Sequence, residues 1–259
     1  MKKLNFFAAV CCMAAVFTAM SITFVSCKKD KTDEPKDPST EQNGGNQNED
    51  ETPDPTNGHG YVDLGLSVKW ATCNVGATTP EGYGNYYAWG ETAPKETYYY
   101  WDNYTMGNGG STLGDVKLTK YCNNASFGQD DFTDTKTVLD LEDDAANVNW
   151  GGKWRMPTDA EWTELRENCE WTLTNDYNGT GVAGRIVTSK TNSNSIFLPA
   201  AGYRNKNLNY AGTSGEYWSS SLNADDSKTA MEVSLNETKV SRYSQYRCFG
   251  LSVRPVLGK

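Results

Sequence analysis

The sequence predicts an α+β domain with about two helices, twisted antiparallel sheets and long loops, preceded by a non-globular leader. Three observations lead there. One well-signalled helix start sits mid-chain, several short stretches alternate apolar with polar residues, and irregular glycine- and ring-rich segments lie between them. Only 37% of the 259 residues are hydrophobic, yet eight are Trp and fifteen are Tyr. Large rings bury much area each while keeping a polar edge available, so such a core leans on aromatics.

The helix start organises the rest. Trp154-Arg155-Met156 reads as a strand end. Pro157 disfavours helix for the residue before it and has no amide to donate, which fixes the turn. Thr158 as N-cap and Glu161 three residues on complete a capping box. Trp162, Leu165 and Cys169 then recur on one helical face. Trp154, Arg155, Pro157, Thr158, Glu161 and Trp162, with Trp218 further on, form the expected structural signature.

In chain order, residues 1–26 read as an export signal: Lys2 and Lys3 precede an apolar run from Phe6 to Phe17, too short to span a bilayer. The run closes on Phe24-Val25-Ser26-Cys27, which resembles a lipobox although Phe24 stands where Leu is usual. The resemblance implies cleavage before Cys27 and acylation of it; one acyl chain anchors marginally, several anchor stably. Residues 27–58 carry no aromatic ring and little else to bury, so a disordered acidic tether is expected. Lys29-Asp30-Lys31-Thr32-Asp33-Glu34 resembles the acidic export signal of Bacteroidota-type surface lipoproteins. That implies the outer membrane, with the domain facing the cell exterior.

Residues 59–259 are the globular part. Ser67 to Val75 alternates as a strand, with Val68 and Trp70 on one side. Gly250-Leu251-Ser252-Val253-Arg254 echoes Gly65-Leu66-Ser67-Val68-Lys69, so the terminal strands are expected to pair antiparallel. With Val68 opposite Val253, Cys73 would face Cys248 within disulfide reach. Cys73, Cys122, Cys169 and Cys248 allow three pairings, and their spacing is not that of a zinc site. Between Tyr83 and Tyr104, Tyr86 and Trp89 are expected in the core, while Tyr98 to Trp101 suit a core or a carbohydrate-stacking platform equally. Residues 105–133 read as an irregular loop.

A helix is expected from Thr137 to Asn147, with Val138, Leu141, Ala145 and Val148 as its stripe. Its acids Asp140, Glu142, Asp143 and Asp144 fit no calcium-loop spacing and read as a solvated face. Beyond the corner, Asn178-Gly179 signals a hairpin ahead of Val182 to Thr188. Ile196-Phe197-Leu198 reads as a buried strand stopped by Pro199. Met231, Val233 and Leu235 alternate with Glu232 and Ser234 as a half-buried strand.

Five blocks in order carry a family resemblance: residues 62–77 from Val62-Asp63-Leu64-Gly65-Leu66, Tyr86-Tyr87-Ala88-Trp89-Gly90-Glu91-Thr92, Ile196 to Arg204, Tyr217-Trp218-Ser219-Ser220-Ser221 and Gly250 to Val256. They are similar to the Fibrobacter succinogenes major paralogous domain family. The Trp154 to Trp162 run more distantly resembles the signature of the formylglycine-generating (sulfatase-modifying factor) family. These resemblances imply a C-type-lectin-like fold with paired terminal strands. The formylglycine-generating relatives oxidise cysteine through a C-terminal cysteine pair, of which only Cys248 has a counterpart here.

Several functions are excluded outright. The chain has one histidine, His59, read as a solvated linker residue at the tether edge, which argues against histidine-dependent hydrolysis, His-rich zinc sites and non-haem iron triads. A net charge of −9 and a pI near 4.7 argue against nucleic acid as partner. Neither cofactor nor metal is expected. Candidate ligand-binding residues are Tyr203, Arg204, Asn205, Asn207, Asn209 and Tyr210 in one polar loop, with Arg242, Tyr243, Tyr246 and Arg247. The expectation is a non-enzymatic, lipid-anchored surface domain that binds a glycan or a protein. The alternatives are an accessory subunit of a surface or pilus-like assembly, or a carboxylate-dependent glycan-acting enzyme. Mass spectrometry of the membrane-extracted protein is expected to find Cys27 acylated at the mature N-terminus. Cys27→Ser is expected to lose the acyl mass.

Overall fold

The computed structural model describes Asp54 and residues 56–258; the stretch read as an export signal, Cys27 and the expected tether up to residue 53 lie outside the described residues. Strands β1 (Tyr61–Val62), β2 (Val68–Ala71) and β3 (Tyr86–Tyr87) lead into a long looped segment. Helix α1 (Ala145–Trp150), strand β4 (Trp154–Arg155) and helix α2 (Asp159–Asn168) form the central corner. Then follow β5 (Cys169–Thr174), β6 (Gly184–Ser189), β7 (Ser195–Pro199), β8 (Tyr203–Arg204) and β9 (Leu208–Asn209). The chain ends with β10 (Ser214–Leu222), β11 (Thr229–Asn236), β12 (Val240–Tyr246), β13 (Leu251–Ser252) and β14 (Val256–Gly258). The class is α+β, with two helices among the described residues and antiparallel sheets broken only by the parallel β10–β13 pair.

The central sheet runs β12-β11-β10-β13-β3, and a second sheet runs β1-β2-β14-β4. Two ring-rich clusters fill the core, one around Trp89, Trp101, Trp154 and Trp218, the other around Trp70, Trp162 and Tyr217. The first and last segments do pair antiparallel, but through β14, so Val68 faces Gly258 and not Val253. Leu251–Ser252 instead pairs with β10 and β3 in the central sheet. The Cys73–Cys248 register therefore fails, and Cys73, Cys122, Cys169 and Cys248 are all free thiols. Burial pushes the Cys248 thiol up to about 12, so it is no nucleophile at neutral pH.

The corner forms as its residues dictate. Thr158 Oγ1 accepts from the Glu161 amide at 3.3 Å and Glu161 Oε2 accepts from the Thr158 amide at 2.8 Å. The same carboxylate takes both Arg155 guanidinium nitrogens, at 2.8 and 2.5 Å, tying β4 to α2. Trp162 and Leu165 point into the core, and Trp162 lies 4.7 Å from the Trp70 ring.

Three expectations are corrected. The helix placed over Thr137 to Asn147 is a 3₁₀ turn (Leu141–Asp143) followed by α1, and of its stripe only Ala145 is buried. Asp144 is the reason: its carboxylate accepts from the Ala146 and Asn147 amides, so it caps α1 and does not sit inside a helix. Strand β11 is buried on both faces, Glu232 and Ser234 included. At the tether edge His59 is no solvated linker residue; it stacks on Trp150 at 3.8 Å, and the Thr56 carbonyl accepts from Trp154 Nε1 at 2.6 Å.

Long loops bring carbonyls into the interior without ladder partners, and side-chain donors satisfy them. Arg247, fully buried, donates to the carbonyls of Tyr121 (3.1 Å), Ser227 (3.0 Å) and Lys120 (3.1 Å) and to Tyr104 Oη (2.8 Å). Its guanidinium lies 4.8 Å from the Trp89 ring centroid. Arg254 does the same for Ala71 and Thr72, both at 3.0 Å. Arg247→Met keeps the apolar stem but strands these acceptors; a loss on the order of 3–5 kcal/mol in denaturant unfolding is expected, against less than about 1 kcal/mol for exposed Arg242→Met.

Candidate functional site

The predicted loop folds into the β8–β9 hairpin, laid over one face of the central sheet. Gly202 enters it at φ +66, where a Cβ would meet the Asn209 carbonyl at 2.0 Å, so only glycine fits. Arg204 and Gly250 exchange backbone hydrogen bonds at 2.7 and 2.9 Å, and the Tyr98 amide donates to the Asn205 carbonyl at 3.2 Å. Asn209 Nδ2 donates to Asn205 Oδ1 at 3.0 Å and to the Asn207 carbonyl. Asn205 and Asn209 thus brace the hairpin, while Arg204 lies over the Tyr86 ring at 5.3 Å. At the hairpin's end Tyr210 holds a left-handed φ of +56 and is 65% exposed. A non-glycine residue held there costs on the order of 1–3 kcal/mol, and such strain concentrates at ligand sites.

Tyr210 begins a continuous ridge of rings. Its centroid lies 6.0 Å from Tyr203; Tyr203 stacks on Phe249 at 5.9 Å, Phe249 on Tyr99 at 6.3 Å, and Tyr99 meets Tyr100 edge-on at 5.0 Å. Tyr246 packs against Phe249 at 6.0 Å, with Trp101 beneath it at 6.2 Å. A cleft opens at each end. One, about 360 Å³, is lined by Tyr99, Tyr100, Leu113, Tyr246 and Phe249. The other, about 430 Å³, is walled by Tyr203 and Tyr210 and floored by Glu216 and Ser234. The Tyr98–Trp101 segment therefore divides: Tyr98 and Trp101 are core, Tyr99 and Tyr100 are exposed.

Arg247, Arg242 and Tyr243 do not join the ridge. Arg247 is buried, as described above. Arg242 alternates to the opposite face of β12 from Tyr243, where it donates to Asp159 Oδ1 at 2.6 Å. Tyr243 stays on the cleft's face of the sheet, directly opposite Glu232, with Lys239 Nζ donating to its hydroxyl at 2.8 Å.

Sequence reasoning missed the floor. Glu216 pairs with Ser234, Trp218 with Glu232, and Glu232 with Tyr243, so both glutamates face the same way at diagonal positions, about 7–8 Å apart in a regular pair. Glu216 Oε1 accepts from Ser214 Oγ at 2.7 Å and Ser234 Oγ at 3.0 Å. Its Oε2 and the Oε2 of Glu232 are buried with no protein donor. Glu232 is 5% exposed. The only sequence signal was negative: acids in a strand pair with serines and no basic residue beside them.

The other acidic group is accounted for. Asp140, Glu142 and Asp143 place carboxylate oxygens within 4.8 Å of one another. Lys120 Nζ sits among them, 2.8 Å from Glu142, 3.4 Å from Asp140 and bonded to Asp143. Among the described residues no helix is long and apolar enough to cross a membrane.

Burial, reinforced by the Glu216 charge, raises the Glu232 carboxyl well above its usual value near 4.5, and burial raises Glu216 as well. The folded state then holds a proton that the unfolded chain releases, so stability falls as pH climbs above that ordinary value. Glu232→Gln removes the charge at constant shape. Stability at neutral pH is expected to rise by about 1–3 kcal/mol and its decline with pH to flatten, read by thermal melting across a pH series. Residues 186–256, which hold both glutamates, Tyr203, Tyr210 and Tyr243, match the family described as a domain of unknown function (DUF8237). No curated protein and no solved structure gives a significant match.

Proposed function

We propose that the folded part of the chain is a non-enzymatic binding module of C-type-lectin-like kind, which holds a glycan along the aromatic ridge. The paired terminal strands, two helices and long ordered loops support that fold. The observation that carries the function is the unbroken run of ring contacts from Tyr210 to Tyr100, with an open cleft at either end. Ring faces meet the apolar faces of sugars, and the flanking Ser, Thr, Asn and Glu side chains exchange hydrogen bonds with hydroxyls. The spacing suits an extended chain better than one isolated sugar. Acyl chains on Cys27 and the acidic tether would present this ridge outside the cell, at the outer membrane.

A glycan-acting enzyme is the second reading, favoured by the buried pair Glu216 and Glu232. Cleavage by two carboxylates needs them on opposite sides of the scissile bond. Here they stand side by side on one sheet face, an arrangement that supports recognition over hydrolysis. A glycan array probed with the mature protein tests both. The expected result is saturable binding, weakened about tenfold (about 1.4 kcal/mol) by Tyr210→Ala or Tyr99→Ala and unchanged by Arg242→Ala. Turnover of the bound glycan would move the protein to the second reading. Silence on the array with co-purification of a surface complex would favour an accessory subunit.

A further inference from the structure

The cleft at the Tyr210 end gathers carboxyl groups without a paired cation. Glu216 forms its floor, Glu232 lies beside it on the same sheet face, and Glu237 stands exposed at the rim. None of the three takes part in an ion pair among the described residues. The basic groups nearby are otherwise engaged. Lys239 donates to Tyr243 Oη, and Arg185 donates from behind the sheet to the carbonyls of Asn236 and Glu237. Leaving a carboxylate buried and unpaired costs several kcal/mol, and a like charge at the diagonal position adds to that. Two buried acceptor atoms, Glu216 Oε2 and Glu232 Oε2, have no donor from the protein.

The walls favour the same kind of guest. Tyr203 and Tyr210 present ring faces tilted 34° to one another, and ring faces attract cations, most strongly where water is excluded. Ser214 and Ser234 hold Oε1 of Glu216, which fixes the carboxyl group on the cleft floor. A volume of about 430 Å³ is within the range of small-ligand sites.

We propose that this cleft recognises the protonated amine of an amino sugar, with the ammonium at the Glu216 carboxylate on the cleft floor, Glu232 beside it on the same sheet face, and the sugar ring against Tyr203 and Tyr210. The proposal rests on the glycan reading and narrows it to a cationic sugar. Tyr203 from β8, Tyr243 from β12 with Lys239 at its hydroxyl, and Glu237 at the rim are the other titratable groups around the pair.

The test is calorimetric titration of the mature full-length protein with a β-linked glucosamine oligomer and with its fully N-acetylated counterpart, in buffer where the free amines are protonated. The free-amine oligomer is expected to bind at least about tenfold more tightly. Glu216→Gln and Glu232→Gln, both shape-conserving and checked by thermal melting, are expected to bring the two affinities to within about twofold. Glu167→Gln, on the far side of the sheet, is expected to keep the preference, which separates the cleft from the overall negative charge. Equal affinities in the unmodified protein overturn the proposal, as does a preference that survives both glutamate variants. If neither oligomer binds while other glycans do, the proposal fails and the glycan reading stands. If no glycan binds at all, both fail together.

Discussion

Buried loop carbonyls are the constraint on which this fold depends. Regular helices and sheets satisfy their own backbone, but more than half of the path from β3 to α1 has no ladder to join. Water cannot reach acceptors enclosed by the core, and each one left unmade costs about 1–3 kcal/mol. The chain answers with donors on amphipathic side chains. Indole nitrogens of Trp89, Trp162 and Trp218 donate to the carbonyls of Ser219, Trp218 and Tyr87. Hydroxyls of Tyr86, Tyr104 and Tyr217 donate to Ala201, Trp89 and Pro199. Arg247 and Arg254 gather several carbonyls each. A composition poor in aliphatics and rich in Trp and Tyr is what such an interior requires, because each ring supplies buried area and a donor together.

The same device makes the ridge rigid. Tyr98 crosses beneath the hairpin with its hydroxyl on the Tyr86 carbonyl at 2.5 Å and its amide on Asn205. Gly250 lies directly against the Tyr98 ring, where any Cβ would come within 2.7 Å. Phe249, one residue earlier, is therefore held at the surface between Tyr203 and Tyr99. The exposed rings need no ordering on binding, so less entropy is lost when a ligand arrives.

The corner was legible in the sequence because its chemistry is local: a proline, a cap and its reciprocal carboxylate lie within five residues. The helix over Thr137 to Asn147 was misread because apolar spacing outweighed a cap; Asp144 followed by Ala145 and Ala146 marks a start, and Val138 belongs to a bridge with Ser221. The terminal pairing was legible but its register was not, since an echo of five residues does not say which strand faces which. The β8–β9 residues were found by type. Glu216 and Glu232 were not, because alternation in a strand assigns such residues to water. Their burial depends on a separate hairpin, β8–β9, and on a third strand, β12, neither of which local alternation reveals.

Buried arginines and buried glutamates are treated unequally here, and the inequality locates function. Arg247 and Arg254 lie as deep as any residue in the protein, yet Arg247 is set among hydrogen bonds and ring faces and Arg254 donates to Asn74 and to the carbonyls of Ala71 and Thr72. Arg155 and Arg242 have carboxylates to themselves. At the cleft two carboxyl groups share one sheet face, and each has a buried oxygen with no protein donor. A lysine opposite Glu232 would supply a counter-charge; instead the opposite position on β12 is Tyr243. The stability forgone there is free energy that a cationic partner can recover on binding, which is how a rigid surface acquires a preference among otherwise similar sugars.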